Sequence, residues 1–195
     1  MLIGLTGGIG CGKSSAAACF DDLGFQVRDT DRIVREHVLT DPAVLSDARE
    51  RWGRDVIEKN GELERTRVAA IIFANPAERR WWESVVHPRV GRLWRSEVEA
   101  DPRAEWVIEV PLLFEAGLEK GFDFVVCVGA NPTTQLARAT ARGMTQAQAE
   151  QRIASQFPLA TKLNSAHVVL WNEGSRDFLR AQVERLARRL RGAEA

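Results

Sequence analysis

The stretch "LTGGIGCGKSS", residues 5–15, places four glycines and a lysine between an apolar run and an amphipathic one. Glycine adds no packing and loses more backbone entropy on folding than any other residue, so this density needs a reason beyond a simple turn. From Gly7 the letters fit G-x-x-x-x-G-K-[ST] at every fixed position. The flanks agree: residues 1–6 read as an apolar strand and 14–23 as a helix. In such a loop successive backbone N–H groups point inward around an anion, and the N-terminus of the following helix adds its positive dipole end. The natural guest is a polyphosphate, with Gly8, Gly10, Cys11 and Gly12 supplying main chain. Lys13 is expected to reach the outer phosphates, Ser14 to offer a hydroxyl to Mg²⁺, and Ser15 to assist or to start the helix.

At 195 residues the chain suits one well-buried domain with inserted subdomains. Lys+Arg and Asp+Glu both number 27, for a formal net charge of +0, so the overall balance gives no argument for a nucleic-acid or membrane partner. No apolar run reaches the length of a membrane span and no charged leader precedes the first strand, which leads to an expectation of a cytoplasmic protein. Cys11, Cys19 and Cys127 have no metal-binding spacing and an odd count, and read as reduced thiols. Cys11 lies where a helix N-terminus and Lys13 would lower a thiol pKa, so oxidation sensitivity is weighed against a small residue at an unconstrained loop position.

Outward from the loop, Ala16, Cys19, Phe20 and Leu23 share one helical face and Gly24 supplies the stop. "FQVRD", residues 25–29, is a second strand, completing a βαβ start over a parallel sheet. Residues 31–102 read as a helical insertion, with Asp41-Pro42 and Asn75-Pro76 each pairing a capping side chain with proline at the first helical position. "WVIEV" (106–110) and "FDFVVCV" (122–128) suit buried parallel strands, and "HVVLW" (167–171) makes a fifth. Between the last two, residues 131–163 form a second helical excursion, expected to act as a lid, in which Asn131-Pro132 opens one helix and Thr145 with Gln148 forms a capping box for another. The core is thus about 1–30, 103–130 and 164–195. The last helix carries Leu179, Val183, Leu186 and Leu190 on one stripe, with Arg185, Arg188, Arg189 and Arg191 on a solvated face or facing an acidic partner.

The loop alone leaves switch GTPases, motor ATPases and small-molecule kinases open. A guanine reader of the Asn-Lys-x-Asp type is missing: "TKLN" at 161–164 has the wrong order and lies on a helical stretch. "VIEVP" offers one acid, Glu109, where a motor would want an acidic pair. A kinase needs less, namely an acceptor hydroxyl, a carboxylate beside it and cations that close over the transferring group. Asp29 and Asp31 in "RDTDR" follow the second strand at the ligand-bordering edge of the sheet. In an extended segment both would project to one side, one orienting or deprotonating the hydroxyl and the other organising water around magnesium. Capping of the next helix is the alternative role of Asp31.

Taken in order, "GLTGGIGCGKSS", "DTDRIVRE", "IFANPAERRWWESVVHPRV", "VIEVPLLFEAG", "QLARATARGMTQAQAEQRIASQ" and "WNEG" resemble the dephospho-coenzyme A kinase family over nearly the whole chain. The resemblance implies an α/β P-loop kinase fold with a parallel five-stranded sheet flanked by helices, a helical acceptor-binding insertion and a helical lid. It implies transfer of the ATP γ-phosphoryl to the 3′-hydroxyl of the dephospho-CoA ribose, with ATP and Mg²⁺. By the same resemblance Asp31 is the catalytic carboxylate, and Asp29 the first acid of its motif, followed by Thr30 where the family has alanine. Arg138 and Arg142 match the lid arginines, and His87, Phe114 and Glu115 the acceptor-binding region. Asn172 and Gly174 match a turn near the adenine, with Trp171 standing where the family often has an acid. His87 precedes proline and is expected to break or kink a long helix; Gln156 fits the pattern at the end of the second lid helix without a derivable role. A kinase of a nucleoside or nucleotide, and an ATP-binding regulator without turnover, are the rival readings.

Overall fold

A computed structural model of the protein describes residues 1–192; residues 193–195, which the expected core includes, lie outside the described range. The chain separates into two units, one of Met1–Asp29 with the chain from Asp101 onward, the other Thr30–Ala100.

The first unit begins with β1 (Leu2–Gly7), of which all but the first residue is buried, followed after the glycine loop by α1 (Lys13–Asp22) and β2 (Gln26–Asp29). Gly24 ends α1 with φ +88, as its placement predicts.

The second unit contains α2 (Thr30–Ile33), a π-helical turn Val34–Val38, α3 (Pro42–Trp52), α4 (Arg65–Ala74) and α5 (Pro76–Ala100). The π-turn is closed by Leu39 N–H on Val34 O at 2.9 Å, a five-residue step. Both Pro-linked caps form: Asp41 accepts from Ala43 N at 2.8 Å and Asn75 from Ala77 N at 2.9 Å. Removing such a cap costs ~1 kcal/mol. Trp52, Trp81 and Trp82 make an aromatic cluster with centroids 4.9 to 6.0 Å apart. Glu78 knits it together, accepting from Arg51 Nε and Nη2 at 3.0 and 2.8 Å and from Trp52 Nε1 at 2.7 Å. The Arg51 bonds, then that of Trp52, hold the Glu78 carboxyl below the usual range.

The pair His87-Pro88, expected to break or kink a long helix, lies within one and does not end it. Pro88 lies inside α5, although its ring removes a hydrogen bond and crowds the preceding turn at a cost of about 3 kcal/mol. Trp82, Val85 and Val86 before it, and Val90, Gly91 and Trp94 after it, are buried, and this apolar stripe on both sides carries the helix through.

The first unit resumes with β3 (Trp106–Glu109), β4 (Phe124–Gly129), α6 (Pro132–Ala141), α7 (Gln146–Ala154), α8 (Leu159–Ser165), β5 (Val168–Trp171) and α9 (Arg176–Leu190). The capping box at Thr145 and Gln148 is complete in both directions. The five strands form one parallel sheet in the order β2-β3-β1-β4-β5. β1 is central, and the chain leaves it toward α1 between β3 and β4, where the order reverses. That crevice beyond the carboxyl ends is where open α/β sheets bind ligands. Beneath it Ile3, Leu5, Phe20, Phe25, Val126 and Leu179 are almost wholly enclosed, and α1 packs against α9.

Candidate functional site

Five carbonyls of the loop after β1, those of Gly7, Gly8, Gly10, Cys11 and Gly12, are held. Lys13 Nζ donates to Gly7 O and Gly8 O, both at 3.3 Å. Arg138 Nη1 donates to Gly10 O at 3.4 Å, and Asn172 Nδ2 to Cys11 O at 2.9 Å. Gly12, the N-cap of α1 at φ +94, accepts from Ser15 N and Ala16 N at 3.1 Å. The N–H groups of Gly10, Gly12 and Ser14 donate to no group among the described residues. With the N-terminus of α1 behind them, these amides form a concave positive nest.

Two glycines are fixed by close approach. Gly10 has φ +74, and a Cβ there would fall on the Gln135 carbonyl oxygen; at Gly12 it would fall on Asn172 Nδ2. Both the left-handed backbone and the packing exclude a side chain.

Gly12 and Ser15 open onto a cavity of about 320 Å³ that Arg138, Arg142, Asn172 and Arg176 also line. Arg138 is the last basic residue of α6 and Arg142 its C-cap, so the spacing of four does bring both guanidiniums to one cavity. Arg176, the first residue of α9, was not foreseen: it sits in an exposed helical face by pattern, and only the fold brings it to the arginine pair. The start of α6 is tied to the turn after β5 by Glu173, whose carboxylate accepts from Asn131 N and, at 2.9 Å, from Thr134 Oγ1. The Asn131 bond is the main reason the Glu173 carboxyl lies below its ordinary value.

Of the two readings weighed for Cys11, the lowered thiol pKa does not hold. The residue is fully buried, and loss of water pushes its thiol up against the smaller pull of Lys13, neighbouring backbone groups and Arg138. Cys127 is also buried and is pushed up to about 12, again chiefly by burial. Neither is a reactive thiolate.

Glu115 belongs to the loop between β3 and β4. Its Oε1 accepts from Lys162 Nζ at 2.8 Å and from Phe157 N at 2.8 Å, while its Oε2 is buried without a partner among the described residues. Lys162 is completely buried and also donates to Pro111 O at 3.1 Å. Phe114 is half-buried in the same loop. Asp29 ends β2 opposite Glu109, the buried last residue of β3. Helix begins at Thr30, so Asp29 and Asp31 do not share one extended segment. Asp31 is the second residue of α2, in its first turn, and so is not its N-cap; there its charge complements the helix dipole. Asp31 and His87 are exposed residues of the second unit. Gln156 is not the end of α7, which stops at Ala154; it lies beyond the Ser155 cap, and its Oε1 accepts from Ile9 N at 3.2 Å.

Among the described residues no cluster of three or more His, Cys, Asp or Glu could hold a metal ion, and no helix is long and apolar enough to cross a membrane.

A family model described as dephospho-CoA kinase matches residues 1–177. A dephospho-CoA kinase from a Synechococcus species is 42% identical over 188 residues, spanning 94% of this chain and 94% of that protein. One from Chlorobaculum tepidum is 35% identical over 193 residues, spanning 95% and 93%. The solved structure of a dephospho-CoA kinase from Campylobacter jejuni superposes with a TM-score of 0.73 at 21% identity, over 100% of this chain and 98% of that one, a likeness of fold. The rival readings as a nucleoside kinase or a regulator without turnover are not favoured by these matches. On the strength of the family model and of relatives 35% and 42% identical over almost their full lengths, the chain belongs to the dephospho-CoA kinase family.

Proposed function

We propose that this protein transfers the γ-phosphoryl of ATP to the 3′-hydroxyl of the dephospho-CoA ribose, the last step in making coenzyme A. The observation that carries the reading is the glycine loop between Gly8 and Ser15, its carbonyls held and the amides of Gly10, Gly12 and Ser14 without an acceptor among the described residues, adjoining a cavity lined by arginines. Such a site favours a polyphosphate, because it supplies fixed dipoles and positive charge without reorganisation at the moment of reaction.

In this reading the amides within residues 8–15 that donate to no group among the described residues, those of Gly10, Gly12 and Ser14, hold the β-phosphate, and Lys13 spreads the charge of the γ-phosphoryl. Arg138 and Arg142 close over it from the 131–163 segment, which acts as a lid that keeps water from intercepting the phosphoryl group. Asn172 fixes the loop and, with Gly174, borders the nucleotide. Asp31 aligns the ribose hydroxyl and takes its proton, while Asp29, His87, Phe114 and Glu115 belong to acceptor binding. Ser14 would hold Mg²⁺, with Asp29 organising its water. An oxygen-only donor set of few protein groups fits an ion that keeps most of its shell for water and phosphate. When bound, that ion neutralises charge on the β- and γ-oxygens. The even charge balance supports small-molecule substrates rather than nucleic acid; the proposed location is the cytoplasm.

The test is a steady-state comparison of acceptors. Dephospho-CoA should exceed adenosine and AMP in kcat/KM by roughly 100-fold or more; a preference for the nucleoside or nucleotide would overturn the assignment. A second expectation concerns the loop itself. Gly10→Ala should weaken ATP binding by about tenfold or more in calorimetry, because a left-handed φ and the Gln135 carbonyl must both be relieved; unchanged affinity would show that the nest is not the phosphate site.

A further inference from the structure

We infer that Gln156 is a positioning residue for phosphoryl transfer, acting on Lys13 through the Gly8–Ile9 peptide. The inference rests on the reading of the glycine loop as the polyphosphate site. Gln156 Oε1 accepts from Ile9 N at 3.2 Å. The same peptide carries the Gly8 carbonyl, which accepts from Lys13 Nζ at 3.3 Å and from Cys11 N at 3.3 Å. A trans peptide is planar, with its N–H and C=O pointing in opposite directions. An acceptor that fixes the N–H on one side therefore fixes the carbonyl on the other, and with it the resting place of the ammonium group.

Gln156 is itself held from behind. Phe157, the next residue, donates its N–H to Glu115 Oε1, and Glu115 is paired with the buried Lys162. Lys162 Nζ binds Pro111 O, and Thr6 Oγ1 reaches that same carbonyl at 3.3 Å from the end of β1. Residues 156–162 thus clip the loop after β3 and the rim of the phosphate nest at once. The pair of Glu115 with the buried Lys162 is the anchor, and Gln156 is the arm that touches the nest. An amide suits the arm: its oxygen accepts from Ile9 without bringing a negative charge beside a polyphosphate, which a carboxylate of the same reach would do.

The test combines Gln156→Met, which keeps the length and removes the oxygen, with Lys13→Ala in a double-mutant cycle read as ATP dissociation constants by calorimetry. Gln156→Met alone should weaken ATP roughly 3- to 10-fold and lower kcat/KM for ATP in proportion, leaving KM for dephospho-CoA unchanged. In the Lys13→Ala background the same change should cost less than about twofold, because the group it acts through is gone. In the unliganded parent the Ile9 amide proton should exchange slowly, and in Gln156→Met about tenfold faster, with the melting temperature within about 2 °C of the parent. Equal effects of Gln156→Met in both backgrounds, or unaltered Ile9 exchange, would overturn the inference while ATP binding by the parent left the site reading intact. A parent that binds no ATP would overturn both.

Discussion

An Asp31→Asn variant should bind ATP within about twofold of the parent and turn over roughly 10²- to 10⁴-fold more slowly, the range that a positioned acid-base group contributes. The side chain is exposed in the first turn of α2, and asparagine is isosteric, so the change does not disturb a core. What it removes is the capacity to orient and accept the proton of an alcohol. The separation of the two readouts is the informative part. Calorimetry reports nucleotide affinity, single-turnover mixing reports the chemical step, and only the second should fall. A variant with near-parental turnover would remove Asp31 from the mechanism, and one that lost ATP affinity to the same extent would move it to the nucleotide site.

Lys13→Ala should behave differently, losing both affinity and rate, with kcat/KM for ATP down by about 10²- to 10³-fold. Lys13 holds two carbonyls of the nest, Gly7 O and Gly8 O, and is the cation that the loop carries on its own sequence. Its removal takes away a charge that grows more favourable as negative charge moves onto the β–γ bridge, and it also loosens the backbone that shapes the nest. Arg138 does not replace it, because it reaches the loop from another element and bonds the Gly10 carbonyl rather than those of Gly7 and Gly8. A Lys13→Ala protein with parental kcat/KM would mean that the nest does not hold the reacting phosphates.

The loop, the five strands and most caps were legible because each is signalled locally. β1, β3 and β4 are buried on both faces, which forces continuous apolar runs. Asp41, Asn75 and Thr145 announce their helices within three residues. The phosphate nest was legible as a motif, but what braces it was not. Asn172 reaches Cys11 across 161 positions and Gln156 reaches Ile9 across 147, and no local spacing encodes such pairs. Gln156 carried a faint signal as a motif position without a role, whereas Lys162 reads as an ordinary helical lysine until its complete burial against Glu115 is seen.

The misreadings share a cause. Of the break or kink expected at Pro88, the break does not occur, because packing along the Trp82 to Trp94 stripe outweighs the missing bond. Asp31 was placed in an extended segment, yet β2 gives way to helix at Thr30 without a turn between them. At Cys11 the pull of the neighbouring charges, weighed against a small residue at an unconstrained position, is outdone by burial. In each case a local rule met a tertiary environment that the chain supplies from far away.

The most direct measurement is the product balance when the protein is incubated with ATP, Mg²⁺ and dephospho-CoA, followed by chromatography with mass detection. The account predicts coenzyme A and ADP in equal amounts, with the new phosphate on the ribose 3′-oxygen. ADP without coenzyme A, or no ADP at all under conditions in which ATP is bound, would contradict it.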